Sequence, residues 1–398
     1  MHAIDLAGLF IFLGAIFLAG LVTDLVGRHT PLPRVSLLIL VGILVGPSGL
    51  DLLPHVQDEW YPLIADMALV MVGFLVGGSL TLKTLRQHGR LVILISATVV
   101  VVTLLVVLGG LYLLGVPLAA AILLAGIATA TDPAATVDVI DELKADGPCT
   151  RSLLGIVAID DAWGLIAFTL AMVVAGQITA ELPVPALLAD MVWELGGAVV
   201  LGFVLGIPMA LLTGRISPGE PTQAEALGIV FLGGGLALWL EVSFLLTAMV
   251  LGAVVANVAR HHQYAFHEIE GIEWPFMILF FVLSGAALDL AAIHVTGVAI
   301  VGFVLLRVLG RYLGGELGAR LASRRPGGSR KLGLAMLPQA GVAMGMGLIA
   351  AQRFPEEADI ILPVVIASIV VFEIVGPVMT RAVVRSWHED RSDTESSH

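Results

Sequence analysis

Residues 128–136 read ATATDPAAT, an aspartate and a proline set inside an apolar stretch that runs from about 117 to 140. A stretch of that length can cross a bilayer as a helix, for which about 20 apolar residues suffice. Pro133 lacks a backbone donor and its ring clashes with the preceding turn, so the helix must break there and expose carbonyls that need other partners. Asp132 adds a charge at the same depth, which costs at least about 2.5–3.5 kcal/mol on insertion scales. A break and a charge together inside the membrane predict a site.

The pattern has an echo. MLPQAGVAMG at 336–345 places Pro338 205 residues after Pro133, again inside an apolar stretch. A second pair agrees in offset: MVGFLVGGSLTL at 71–82 resembles LFFVLSGAALDL at 279–290, with Gly77 against Gly285, 208 residues apart. Two matched landmarks at nearly one spacing predict an internal repeat, and a broken helix at the corresponding place in each half points to a secondary transporter's binding site.

Working outward, apolar runs bounded by charges, Gly or Pro predict thirteen crossings, near 4–27, 34–51, 60–82, 90–115, 117–140, 151–176, 190–213, 223–241, 243–260, 272–290, 295–319, 332–352 and 359–383. Lys and Arg test the count. Seventeen of the 20 fall in alternate loops or the tail, among them Arg28, Arg34, Lys83, Lys144, Arg151, Arg320, Lys331 and Arg381, against Arg353 alone on the opposite side and Arg307 and Arg311 inside the eleventh helix. The positive-inside rule then puts the N-terminus outside and the C-terminus in the cytoplasm. The expected fold class is all-α: one polytopic membrane domain over 1–398, with inverted repeats 1–176 and 223–385 joined by a linker helix at 190–213, and a short cytoplasmic tail at 386–398. The first apolar stretch follows Asp5 rather than a basic segment and reads as a retained helix, not a cleaved signal.

Composition agrees and excludes other classes. Fifty-eight per cent of residues are hydrophobic, 13% are charged and the mean hydropathy is +1.00, which rules out a soluble enzyme. A net charge of −12 argues against nucleic acid as a partner. Cys149 is the single cysteine, so an intrachain disulfide and a Cys-based metal site are excluded. No cofactor or lipidation motif is present; the expected ligands are a transported monovalent cation and protons.

Six buried charges need reasons: Asp132, Asp160, Asp161, Arg307, Arg311 and Glu373. At 1.5 Å per residue, Asp160 and Asp161 lie roughly 13 Å into the sixth helix, level with Asp132, the two arginines and Pro338. Adjacent helical residues are turned by about 100°, so Asp160 and Asp161 cannot face one partner. One carboxylate pairs with an arginine; the other faces a cavity with Asp132 and the carbonyls freed at Pro133. Such hard oxygens suit a small dehydrated cation, with protons competing for the same carboxylate. Arg307 and Arg311 share a face at i and i+4, so either can be the partner. Glu373 is deep and has no assigned role.

These phrases carry a resemblance. LVGPSGLDLL (44–53), ATATDPAAT (128–136), GIVAIDDAWGL (155–165), FFVLSGAALDL (280–290) and LPQAGVAMG (337–345) are similar, over nearly the whole chain, to monovalent cation/proton antiporters of the sodium/proton exchanger superfamily, bacterial type. The resemblance implies a homodimer in the inner membrane whose mobile core holds two crossed broken helices. It implies Asp161 as the cation and proton carboxylate, Asp160 as the first acid of the pair, Asp132 and Thr131 as broken-helix contributors to the cation, and Arg307 as the basic residue facing the acids. The double aspartate resembles the electrogenic branch, whereas the TDP of 131–133 resembles the electroneutral one, which carries Glu and Ser where Ile156 and Val157 stand. The expected function is sodium/proton antiport, electrogenic if both acids titrate, with potassium/proton antiport as the alternative and a cation channel or solute symporter behind it.

Overall fold

The structure is a computed structural model that describes residues 6–29, 34–52, 57–180, 189, 192–212, 222–259, 262–286, 290–322 and 329–395. Among the described residues every regular element is helical. In chain order these are α1 (Leu6–His29), α2 (Arg34–Val45), α3 (Gln57–Ser79), α4 (Leu82–Leu113), α5 (Leu118–Ile127), α6 (Pro133–Glu142) and α7 (Pro148–Ala180). A π turn at Val192–Gly196 leads into α8 (Gly197–Leu212), followed by α9 (Thr222–Trp239), α10 (Phe244–Val258), α11 (His262–Ala286) and α12 (Leu290–Leu321). A 3₁₀ segment (Ser329–Met336), α13 (Gly341–Arg353), a short 3₁₀ turn (Pro355–Glu357) and α14 (Ala358–Glu395) complete the chain. Seven described helices are long and apolar enough to cross a bilayer: α1, α4, α7, α8 with its π turn, α11, α12 and α14; α2, α5, α9, α10 and the Leu63–Gly78 part of α3 are shorter apolar helices. Val200, Phe203, Val204 and Leu211 on α8 are half or more exposed, an outward apolar face that water would not tolerate and lipid would cover.

Glycines set how closely these helices approach. Gly42 of α2 lies against the Val282 carbonyl of α11, and Gly285 of α11 lies against the Ile39 carbonyl of α2. The same reciprocal arrangement joins α3 to α10, where Gly77 meets the Met249 carbonyl and Gly252 the Phe74 carbonyl. At all four positions a Cβ would overlap backbone, so each crossing requires a residue without one. Helices α4 and α12 share the most extensive helix–helix contact. Gly310, Gly314 and Gly318 of α12 come within 2.8, 2.7 and 3.0 Å of the Cα atoms of Thr103, Val99 and Ile95, measured from a Cβ placed on each glycine. As one number rises the other falls, so the pair is antiparallel and packed through small residues at every fourth position, as membrane helices favour without a hydrophobic drive between them.

The boundaries depart from the hydropathy reading at the wet ends. Helix α4 starts at Leu82 and α11 at His262, eight and ten residues earlier than expected, and α14 runs on to Glu395 through most of the expected tail. Polar residues keep the helical hydrogen-bond ladder going into the headgroups, where hydropathy no longer marks it. Trp387 near the end of α14 is buried beside Val383 and Val384, whereas Trp193 and Trp239 are exposed.

Both proline-marked breaks are present. Between α5 and α6 the chain leaves the helix over 128–132; between the 3₁₀ segment and α13 it is irregular over 337–340. The breaks meet: the Asp132 amide donates to the Pro338 carbonyl at 2.9 Å. Helix α14 presses on the second break through Gly376, where a Cβ would lie 2.7 Å from the Pro338 Cα.

Candidate functional site

A break of four or five residues in a buried helix leaves carbonyls that neither the helix nor water can satisfy. Here side chains satisfy them one after another. Gln339 Nε2 donates to the Ile127 carbonyl at 3.1 Å, Arg307 Nε to Ala128 at 3.0 Å, Arg311 Nη2 to Thr129, and Arg307 Nη2 to Ala130 at 2.7 Å. Arg307 Nη1 reaches the other break, donating to the Leu337 carbonyl at 2.7 Å. Its guanidinium thus ties both breaks together, and its face lies 4.3 Å from the centre of the Phe372 ring of α14. A planar fork with five donors can do this; a lysine ammonium cannot. Two cations at the C-terminal end of α5 also oppose the negative pole of that helix.

The second arginine makes the ion pair. Arg311 Nη1 lies 2.7 Å from Asp160 Oδ2, with both side chains at 0% exposure. The expectation of Arg307 as the partner of Asp160 is therefore corrected to Arg311. The reason is geometric: Arg307 has all three of its donor nitrogens on carbonyls, and Arg311, one turn along α12, is the residue that reaches α7. The Thr131 hydroxyl is a further donor to the Asp160 carboxylate, which brings the broken segment onto the acid. The carbonyls of 127–130, expected to join a cation, face guanidinium or amide donors instead.

Asp161 follows Asp160 in α7; its backbone is helical and its side chain lies outside the described set. Asp132 is partly exposed at the start of α6, and its own carbonyl accepts from Thr136 Oγ1 at 3.3 Å. The structure thus brings Asp160, Thr131, Arg307 and Arg311 into one buried cluster with Asp132 at its edge. Sequence reasoning assigned no role to Gln339, Thr129 or Phe372. Gln339 sat inside a quoted motif, and a buried amide beside a proline break was the signal available.

A cavity of about 720 Å³ opens near this cluster between α3, α7, the π turn before α8, the end of α9, α10 and α13. Asp66, Gln177, Glu194, Glu241 and Gln352 give it a polar lining, and Arg353 stands with them. Leu165 and Phe168 on α7 also line it. Leu165 is four residues from Asp161, about 6 Å along the helix, so the cavity reaches within one turn of the paired acids.

The family described as sodium/hydrogen exchanger, transmembrane, matches residues 13–386. The ammonium/H⁺ antiporter subunit AmhT of Alkalihalophilus pseudofirmus is 25% identical over 352 residues, covering 85% of each chain. The K⁺/H⁺ antiporter subunit KhtU of Bacillus subtilis is 21% identical over 365 residues, covering 87% of this chain and 86% of its own. In fold, the chain superposes on the sodium proton antiporter MjNhaP1 of Methanocaldococcus jannaschii with a TM-score of 0.73 at 19% identity, over 96% of this chain and 97% of that one. These relatives are transporters and not enzymes. With the family spanning nearly the whole sequence and two crossed breaks at its centre, the chain belongs to the sodium/hydrogen exchanger family and is a multi-pass membrane antiporter of monovalent cations and protons.

Proposed function

We propose that the exchanged cation is sodium, with lithium accepted, and that Asp161 carries cation and proton in turn, assisted by Asp132 and Thr131. The buried Asp160–Arg311 pair carries this reading. Because arginine does not release its proton, Asp160 is held as a carboxylate and Asp161 is left as the acid of the pair that can change partner. The layer around the crossing contains two guanidiniums and four carboxylates (Asp132, Asp160, Asp161 and Glu373), so it lacks two positive charges for neutrality. A cation or protons supply them. No other cofactor enters this reading. Potassium remains the second candidate, favoured by the K⁺/H⁺ antiporter named among the relatives.

Electrogenic exchange needs Asp160 to give up a proton each cycle. The Arg311 pair argues against that and favours one proton per cation. Thirteen crossings with the N-terminus outside, inverted repeats and a homodimer in a bacterial-type inner membrane belong to the same proposal. The reciprocal glycine crossings support the repeats, since the α2–α11 contact and the α3–α10 contact exchange into one another under the 208-residue offset.

The test is proton movement in proteoliposomes with an internal pH dye and sequential addition of sodium, lithium, potassium and ammonium. Wild type should respond most strongly to sodium, and Asp161→Asn should respond to none, since no neighbour can take over a carboxylate that binds both ions. Exchange at wild-type rates in Asp161→Asn would remove the proposed carrier.

A further inference from the structure

Glu373 adds a charge to the layer around the crossing, yet the exchange proposed above gives it no role. It sits on α14 and is 6% exposed, and its Oε1 accepts no hydrogen bond among the described residues. A buried carboxylate kept for structure normally has both oxygens on donors, because an open oxygen leaves its desolvation uncompensated. Its surroundings are informative. Phe372, the residue before it, lies under Arg307, and Gly376, one turn on, rests on Pro338, so Glu373 is level with the crossing of the two breaks. Helix α14 also packs on α2, and Glu373 lies within electrostatic range of Asp132 and of Arg34 at the start of α2. Arg34 is already committed: it lies 2.9 Å from Asp24 of α1 and 5.2 Å from the Trp274 ring centre. The Arg34 charge is therefore held away from Glu373 as a direct partner.

Two carboxylates, Asp132 and Glu373, thus flank the crossing on the side that carries Arg34. This is the side opposite the cavity lined by Asp66 and Gln177, and the positive-inside pattern makes it cytoplasmic. An oxygen that is buried, with a second acid nearby and no arginine or lysine hydrogen-bonded to it among the described residues, is what a dehydrated monovalent cation needs and what an anion or apolar solute would avoid.

We propose that Glu373 binds the exchanged cation together with Asp132, as a second station on the cytoplasmic side through which the ion passes between Asp161 and the cytoplasm. The proposal rests on the antiporter reading with Asp161 as carrier, and adds a residue that sets the affinity at one face only.

Sidedness provides the test. Everted membrane vesicles present the cytoplasmic face to added sodium and right-side-out vesicles present the outer face; the half-saturating sodium concentration for proton movement is measured in both. Glu373→Gln should raise it about tenfold at the cytoplasmic face, the loss of one charged ligand, and leave the outer value unchanged. A merely structural role would move both faces together. Glu373→Asp, which keeps the charge but withdraws it by one methylene, should give an intermediate, cytoplasm-only shift and serves if the glutamine variant does not reach the membrane. Wild-type values at the cytoplasmic face in either variant, or an equal shift at both faces, would overturn the proposal. Failure of wild-type vesicles to exchange any monovalent cation for protons would instead sink the antiporter reading beneath it.

Discussion

Arg311→Ala removes a guanidinium that has no exposure and makes two contacts, one to Asp160 at 2.7 Å and one to the Thr129 carbonyl. Breaking a buried ion pair from one side costs about 3–5 kcal/mol, because the partner charge is stranded in low dielectric. The unpaired Thr129 carbonyl adds roughly 1–3 kcal/mol, and protonation of Asp160 returns part of the total, so a net loss near 4 kcal/mol is expected. With an unfolding entropy of roughly 0.8 kcal/mol/K for a chain of this length, the midpoint should fall by about 5 °C. The assay is a fluorescence-monitored melt of the purified protein in detergent, with Asp160→Asn and the Asp160→Asn, Arg311→Ala pair melted alongside. The double variant should be more stable than Arg311→Ala alone, since no charge is then stranded, and the coupling in that cycle isolates the pair. A wild-type melt for Arg311→Ala, or additive losses in the double variant, would refute the assignment of Arg311 as the partner.

Asp132→Asn should raise the half-saturating cation concentration while leaving measurable turnover, read in the same dye-loaded proteoliposomes; an unchanged affinity would take Asp132 away from the ion. Exchange should produce no current on a solid-supported membrane and no dependence on a potential imposed with valinomycin and potassium, because Asp160 stays ionised against Arg311; a robust current would show that both acids titrate. Gly285→Val should cost about 1–3 kcal/mol or more by driving a side chain into the Ile39 carbonyl, seen as a lower melting midpoint, whereas Gly109→Ala, with open space around its Cα, should be neutral.

The broken helices were legible because Pro133 and Pro338 stand next to Asp132 and Gln339 inside apolar runs; proline alone was no sufficient sign, since Pro208, Pro275, Pro363 and Pro377 all lie within continuous helices. The buried charges were legible because an Asp or Arg in an apolar run is anomalous at any depth. The choice between Arg307 and Arg311 was not legible. Residues at i and i+4 share a face and nearly a depth, so the decision falls to where the unwound carbonyls end up, which is set by how two distant breaks meet. Gln339 was passed over for a related reason: its amide matters only because the Ile127 carbonyl, 212 positions earlier, comes within 3.1 Å. The early starts of α4 and α11 were hidden because apolar content reports the hydrocarbon boundary, whereas hydrogen bonding continues through Lys83–Arg90 and His262–Gly271.

The line of donors on the 127–130 carbonyls bears on which ions the protein tells apart. Filters that discriminate sharply among alkali ions do so with many backbone dipoles arranged around a dehydrated ion. Here that row of dipoles faces positive or amide groups, and any cation approaching it would be repelled by two guanidiniums. In the proposed site, recognition falls to a few carboxylate and hydroxyl oxygens on separate helices, whose spacing can relax by rotamer. A site of that kind separates monovalent ions less sharply than a carbonyl filter, so the proposed preference for sodium is one of degree. On this scaffold, a change of cargo among sodium, potassium and ammonium would then require adjusting side chains around Asp161 and leaving the crossed backbone as it is.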